Sequence, residues 1–206
     1  MKPTINEIEK AKEIVNKLVR NNFLEAVICE DNSNYFDWCQ GYAKYFKDWH
    51  IKVFCGETKA CIISEDLSDW VIKVGFRETE DSMDFCQIEA SNYGDAVCWE
   101  LDEFFAACYE LCDITPSKDY NFDGDITFYI QEKAKPNEDK ISSTCTEYTG
   151  SDWNDDDDRL ESLFRDSDKF EDLLEFIDDW NINDLHSGNF GYTKEGKVKI
   201  IDYSGY

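Results

Sequence analysis

Apolar residues fall at Ile5, Ile8, Ala11, Val15 and Leu18, steps of three and four that line one side of an α-helix. Thr4 and Glu7 spell a capping box ahead of that run, so the pattern predicts a helix from Ile5 to Arg20, ended by Asn21-Asn22. Phe23 to Cys29 is too short to classify. Tyr35 to Trp49 carries Tyr35, Phe36, Trp38, Tyr42, Tyr45 and Phe46 before Trp49 itself, a stripe that reads as the packing face of an amphipathic helix.

From Ile51 the period shortens to that of a sheet. Ile51 to Cys55, Lys59 to Ile63 and Trp70 to Val74, with a turn at Gly56-Glu57-Thr58, predict three antiparallel strands. After a polar break at Glu78 to Ser82, the pattern Ile88, Tyr93, Ala96, Val97, Leu101 predicts a helix with Glu89, Tyr93 and Val97 on one face. Phe104 to Leu111 and Ile126 to Glu132 read as two more strands, separated by Pro116-Ser117 and the Asn121 to Gly124 turn signal. The sum is an α+β chain whose first part is a five-stranded antiparallel sheet with one helix. Asn137 to Gly150 is polar and reads as a loop. The acidic run Asp155 to Asp158 precedes Arg159, Leu160, Leu163 and Phe164, where carboxylates suit the positive end of a helix dipole better than they suit a metal. Asp168 is the expected cap of a further helix with Phe170, Leu173, Leu174, Ile177 and Trp180 on one stripe.

Charge changes the picture of partners. With 46 acidic residues against 21 basic ones among 206, the formal charge is −25, which repels phosphate backbones and anionic lipid. Direct nucleic-acid binding is not expected. The plain reading is a solubility surface, the other a decoy acidic surface that fills a basic groove on a protein partner. The nine cysteines form no Cys-x-x-Cys and only two histidines accompany them, so zinc is not expected and the thiols read as small buried hydrophobes of a reducing cytoplasm. No apolar run approaches the roughly 20 residues of a membrane span, and the N-terminus does not read as a targeting sequence.

The chemistry-bearing stretch is Asn183 to Tyr206. Asp184 and Asn189 stand in a polar, glycine-containing loop, and Asp202 follows the apolar run Val198 to Ile201 after a turn at Glu195-Gly196. An Asn amide oxygen and an Asp carboxylate are the hard ligands that Mg²⁺ takes alongside substrate phosphates, and a separate Asp is available to accept a proton from an attacking hydroxyl. Lys73 lies inside Val71-Ile72-Lys73-Val74. A lysine there either faces solvent or, on an inward face, needs a carboxylate and phosphates to meet its ammonium. Glu89 is the candidate partner, with Asp95 and Glu100 as rivals on the same segment.

Asp184-Leu185-His186-Ser187-Gly188-Asn189, followed by Asp202-Tyr203-Ser204 and preceded by the Lys73 strand, resembles the protein-kinase-like phosphotransferase superfamily, with a loop similar to its aminoglycoside and choline kinase branch. The resemblance implies an N-lobe over residues 51–134, a minimal, mostly helical C-lobe over 135–206 with its substrate-binding half missing, and an unassigned helical extension over 1–50. It implies ATP and Mg²⁺ as cofactors and a hydroxyl acceptor of unknown identity. Asp184 would be the catalytic base, Lys73 and Glu89 would serve the nucleotide phosphates, Gln131 to Lys133 would hold the adenine edge, and Asn189 and Asp202 would bind the metal. His186 reads as a structural hydrogen-bonder or as a contact to phosphate or acceptor. The β-hairpin that would cover the phosphates holds Gly56 alone, which keeps open a nucleotide-binding module without transfer, of the pseudokinase type.

Overall fold

The computed structural model describes residues 1–28, 47–56, 58–77, 82–118, 122–149, 156–183 and 185–204, and these form two units, Met1–Ala90 with Ala107–Glu132 and Ser91–Ala106 with Lys133–Tyr206. In the first unit, helix α1 (Ile5–Val19) starts on the expected capping box: Glu7 N donates to Thr4 Oγ1 at 3.3 Å and Thr4 N donates to the Glu7 carboxylate at 2.7 Å. Its apolar stripe Ala11, Ile14, Val15 and Leu18 is buried. The segment left unclassified contains a short helix, α2 (Leu24–Val27). The predicted helix from Tyr35 falls mainly on residues outside those described; its end, Lys47–Trp49, is a 3₁₀ turn.

The sheet has five antiparallel strands, β1 (Ile51–Cys55), β2 (Lys59–Ser64), β3 (Trp70–Gly75), β4 (Cys108–Ile114) and β5 (Ile126–Glu132), in the order β1-β2-β3-β5-β4. Successive side chains point to opposite faces. Ala60, Ile62, Ile72, Val74, Phe128 and Ile130, all at most 1% exposed, make one face apolar, and Phe23 packs against Phe128 with its ring tilted by 39° at 6.4 Å between centroids. Helix α3 (Phe85–Cys98) supplies its residues up to Ala90 to this unit. Asp84 caps it, accepting from Cys86 N at 3.0 Å and Gln87 N at 3.2 Å. A Cβ on Gly75 would lie 2.6 Å from Asp84 Oδ1, so glycine at the end of β3 is what lets the cap seat.

In the second unit a three-stranded antiparallel sheet of β6 (Lys135–Pro136), β7 (Phe190–Tyr192) and β8 (Val198–Ile200) accompanies α4 (Glu138–Thr149), α5 (Asp156–Phe164) and α6 (Phe170–Asp179). Its core is aromatic. Phe105 meets Phe176 and Tyr203 edge-on at 5.6 and 5.1 Å, and Phe104 meets Phe164 at 5.3 Å, geometry that favours the ring quadrupoles. No helix among the described residues is long and apolar enough to cross a membrane.

Several expectations are corrected. Residues 138–149 are helical, not a loop: the Asn137 side chain accepts from Lys140 N at 3.1 Å, and Ile141 and Cys145, one turn apart, are buried. Two buried apolar positions suffice where most of residues 138–147 are exposed. The fourth strand starts at Cys108, not Phe104, because Phe104 and Ala106 pair with Ile200 (2.8 and 2.9 Å). Asp168 does not cap α6; its N-cap is Lys169, without a side-chain cap. Val97 is 47% exposed while Cys86, Glu89, Asn92, Tyr93 and Ala96 are buried, since eight residues at about 100° each overshoot two turns by about 80°. Of the described cysteines, Cys86, Cys108 and Cys145 are buried, Cys55, Cys61 and Cys112 are half-buried and Cys98 is exposed.

Burial pushes the Asp84 carboxyl above its ordinary value, against the pull of the Gln87 and Cys86 amides and of Arg77. A carboxyl with a raised folded-state pKa makes the fold more stable as pH falls through that pKa toward the ordinary range. Asp84→Asn keeps an acceptor for both amides and removes the buried charge. It is expected to be at least as stable as the parent at pH 7 in urea titrations, with its advantage shrinking as the pH is lowered; an advantage that grows toward acid would refute this.

Candidate functional site

The second face of the five-stranded sheet is polar, and strand register decides which residues share it. Lys73 opposes Cys61 on β2 and Tyr129 on β5, Gly75 opposes Lys59, and Val71 opposes Gln131. With a side-chain period of two, Lys59, Lys73 and Gln131 therefore project from the same face. Glu89 enters from α3, on the first unit's part of that helix. Lys59 Nζ donates to Glu89 Oε1 at 2.6 Å, Lys73 Nζ to Oε2 at 2.8 Å, and Gln131 Nε2 to Oε2 at 3.3 Å.

All four groups are out of water. Glu89 is 0% exposed, and Lys59, Lys73 and Gln131 are 8%, 7% and 2% exposed. A buried carboxylate is tolerated only when paired and hydrogen-bonded, and Glu89 meets that condition through both oxygens. Its rivals are otherwise placed: Asp95 accepts from Trp180 Nε1 at 2.8 Å within the second unit, and Glu100 is exposed. The structure thus brings Lys73, Glu89 and Gln131 together and adds Lys59, which sequence reasoning missed because a lysine opening a strand after a turn looks like a surface residue. Its one signal is positional, since it shares the Lys73 face once the register is known. Of the adenine-edge candidates, Gln131 meets this cluster through its side chain. The Glu132 backbone N–H is used by Ala107 O at 2.7 Å, and Lys133, just beyond β5, is half-buried.

Asn189 and Asp202 lie in the second unit, and Asp184 lies outside the described residues. The loop around it is built from main-chain contacts. Asp156, at the start of α5, accepts from Leu185 N at 2.9 Å, while Arg159 donates to Leu185 O at 3.2 Å and to Asp156 Oδ1 at 3.0 Å. The carboxylate read as a dipole-stabilising helix starter is thus also the anchor of the loop. His186 takes the structural role: its Nδ1 accepts from Gly188 N at 3.0 Å and opens the 3₁₀ turn Ser187–Asn189. A Cβ on Gly188 would stand 2.8 Å from His186 Cε1. Asn189 O then accepts from Ile201 N at 2.8 Å, which brings the backbone of Asn189 beside the residue preceding Asp202.

Asp202 Oδ1 accepts from Ser204 Oγ at 3.3 Å. An amide and a carboxylate oxygen are the donor chemistry that Mg²⁺ takes, usually together with waters and substrate phosphates and not in an all-protein cage. No group of three or more His, Cys, Asp or Glu side chains is arranged around a possible metal among the described residues. A cavity of about 520 Å³ adjoins the loop, with Leu160, Ile177 and Ile182 as apolar lining and Asp157, Asp178 and Asn183 as polar lining.

No family model and no curated protein matches the chain. Among solved structures, the chain is similar to WbdD bound to a kinase inhibitor (TM-score 0.35, 14% identity, 73% of this chain and 31% of that one). It is also similar to a second structure, of the bifunctional kinase-methyltransferase WbdD (TM-score 0.34, 12% identity, 71% of this chain and 29% of that one). The chain therefore spans under a third of the length of those structures.

Removing the shared carboxylate leaves two buried ammonium groups without it. Glu89→Ala is expected to lose about 3–5 kcal/mol of stability in chemical denaturation, the usual cost of breaking a buried ion pair from one side. A loss below about 1 kcal/mol, the level of an exposed pair, would show that the cluster is not buried in solution.

Proposed function

We propose that the chain is a kinase-like nucleotide-binding protein that acts on Mg²⁺-ATP. The observation that carries the reading is the ion pair of Lys73 and Glu89, buried on the polar face of the first unit's sheet at 2.8 Å. A lysine paired with a buried carboxylate in a nearly dry environment suits a multiply charged ligand such as a nucleotide phosphate. In a chain of formal charge −25, such a ligand needs cations placed locally. On this reading Lys73 meets the phosphates, Glu89 orients it, and the Gln131 to Lys133 segment borders the base. Asn189 and Asp202 would hold Mg²⁺, which supplies charge neutralisation to the phosphate oxygens when bound. Asp184 would accept the proton of an acceptor hydroxyl as its oxygen forms a bond to the γ-phosphorus and the bond to the ADP oxygen breaks.

One feature favours a second reading, binding without transfer. Among the described residues of the hairpin between β1 and β2, Gly56 N donates to Lys59 O at 2.9 Å, inside the turn, so the amide of its one glycine is not offered to a phosphate. The two readings share the nucleotide and differ at Asp184.

A thermal-shift titration separates them. Mg²⁺-ATP at 100 times its Kd should add about 2.7 kcal/mol of stability, and Lys73→Met should abolish the shift at the same concentration. No shift in the parent protein would sink both readings. If the chain transfers phosphate, Asp184→Ala should keep the shift and lower turnover by about 10²–10⁴-fold, followed with γ-labelled ATP. A shift without labelled product in the parent would establish the binding-only reading, and undiminished turnover in the variant would remove Asp184 from the chemistry.

A further inference from the structure

We infer that Lys59 is a second phosphate-binding residue, one that works beside Lys73 at the mouth of the glycine-poor hairpin; the inference rests on the nucleotide reading above. Whatever positions Lys73 for a phosphate positions Lys59 equally. Both ammonium groups are held by the same carboxylate, one on each oxygen, at 2.6 and 2.8 Å. Both side chains leave the same sheet face, Lys59 opposite Gly75 and Lys73 two positions earlier on that strand, and both are less than a tenth exposed.

Lys59 also occupies the place where cover from the hairpin is required. It is the residue that closes the turn, its carbonyl taking the N–H of Gly56. That bond turns the N–H of the only glycine between Ile51 and Val74 inward to the hairpin, so the Gly56 amide is spent within the turn. A lysine delivers a flexible ammonium with three donors, and a terminal phosphate presents three oxygens, enough for two ammonium groups at once.

The test compares the Kd values of ATP, ADP and AMP, each with Mg²⁺, for the parent, Lys59→Met, Lys59→Gln and Lys59→Arg by calorimetry. A charged hydrogen bond to phosphate predicts about a 10-fold weaker Kd for ATP in Lys59→Met, with a smaller factor for AMP and partial recovery in Lys59→Arg. Lys59→Gln keeps a donor for Glu89 without the charge, so it should match Lys59→Met in affinity and supplies the measurement if Lys59→Met does not fold. An unchanged ATP Kd in either neutral variant would leave Lys59 as a counter-ion of Glu89 only. An equal loss for ATP and AMP would make its role one of packing. If the parent binds none of the three nucleotides, the nucleotide reading fails and this inference fails with it, whereas parent binding with unaffected variants overturns the role of Lys59 alone.

Discussion

A carboxylate without access to water survives in a fold only where cations and donors meet it, and Glu89 is met from three strands. Lys59 on β2, Lys73 on β3 and Gln131 on β5 all end on its two oxygens. The contact therefore does more than neutralise a charge, since it ties the first turns of α3 to three strands of the first unit's sheet through buried, hydrogen-bonded groups. The same sheet has its other face filled by alanine, isoleucine, valine and phenylalanine side chains. Packing by the apolar face and ionic fixation by the polar one are assigned to alternating residues of the same strands, a division that the two-residue period makes possible.

The acidic excess takes on a different meaning beside these contacts. Asp84 caps α3, Asp95 holds the Trp180 indole, Asp113 accepts from Thr127, Asp125 from Thr115, and Asp156 takes the amide of Leu185. Carboxylates are strong acceptors, and hydrogen bonds to them are worth more than those between neutral groups. Part of the charge is thus used as local scaffolding, while other acids, such as those of α6, are exposed.

How much was legible in advance follows the range of the signal. The α1 capping box, the limits of β1 and β5 and the antiparallel order of the first three strands depend on neighbours a few residues apart, and periodicity captures those. The pairing of Lys73 with Glu89 was readable because a helix and a strand bracket the gap and few acids compete. Lys59 was not, because its environment is set by register with Gly75, sixteen residues away, and a lysine after a turn has the same local pattern whether it ends in water or in a core. Phe104 to Ala106 misled for a related reason: an apolar run announces that it will be covered, but not by what, and here Ile200 takes it. Helix α4 was hidden by its composition, with Ile141 and Cys145 the buried positions described in a mostly polar stretch.

The loop that follows α6 is fastened at Leu185 by an aspartate and an arginine from α5, through the main chain and not through the leucine side chain. Peptide groups are common to every residue type, so a grip of this kind does not inspect what it holds. One step further on, the path passes to side-chain control: the His186 imidazole takes the Gly188 amide, and that same imidazole leaves no room for a larger residue at 188. The loop thus changes its means of restraint within three residues, from a backbone clasp to a side chain that only one neighbour fits.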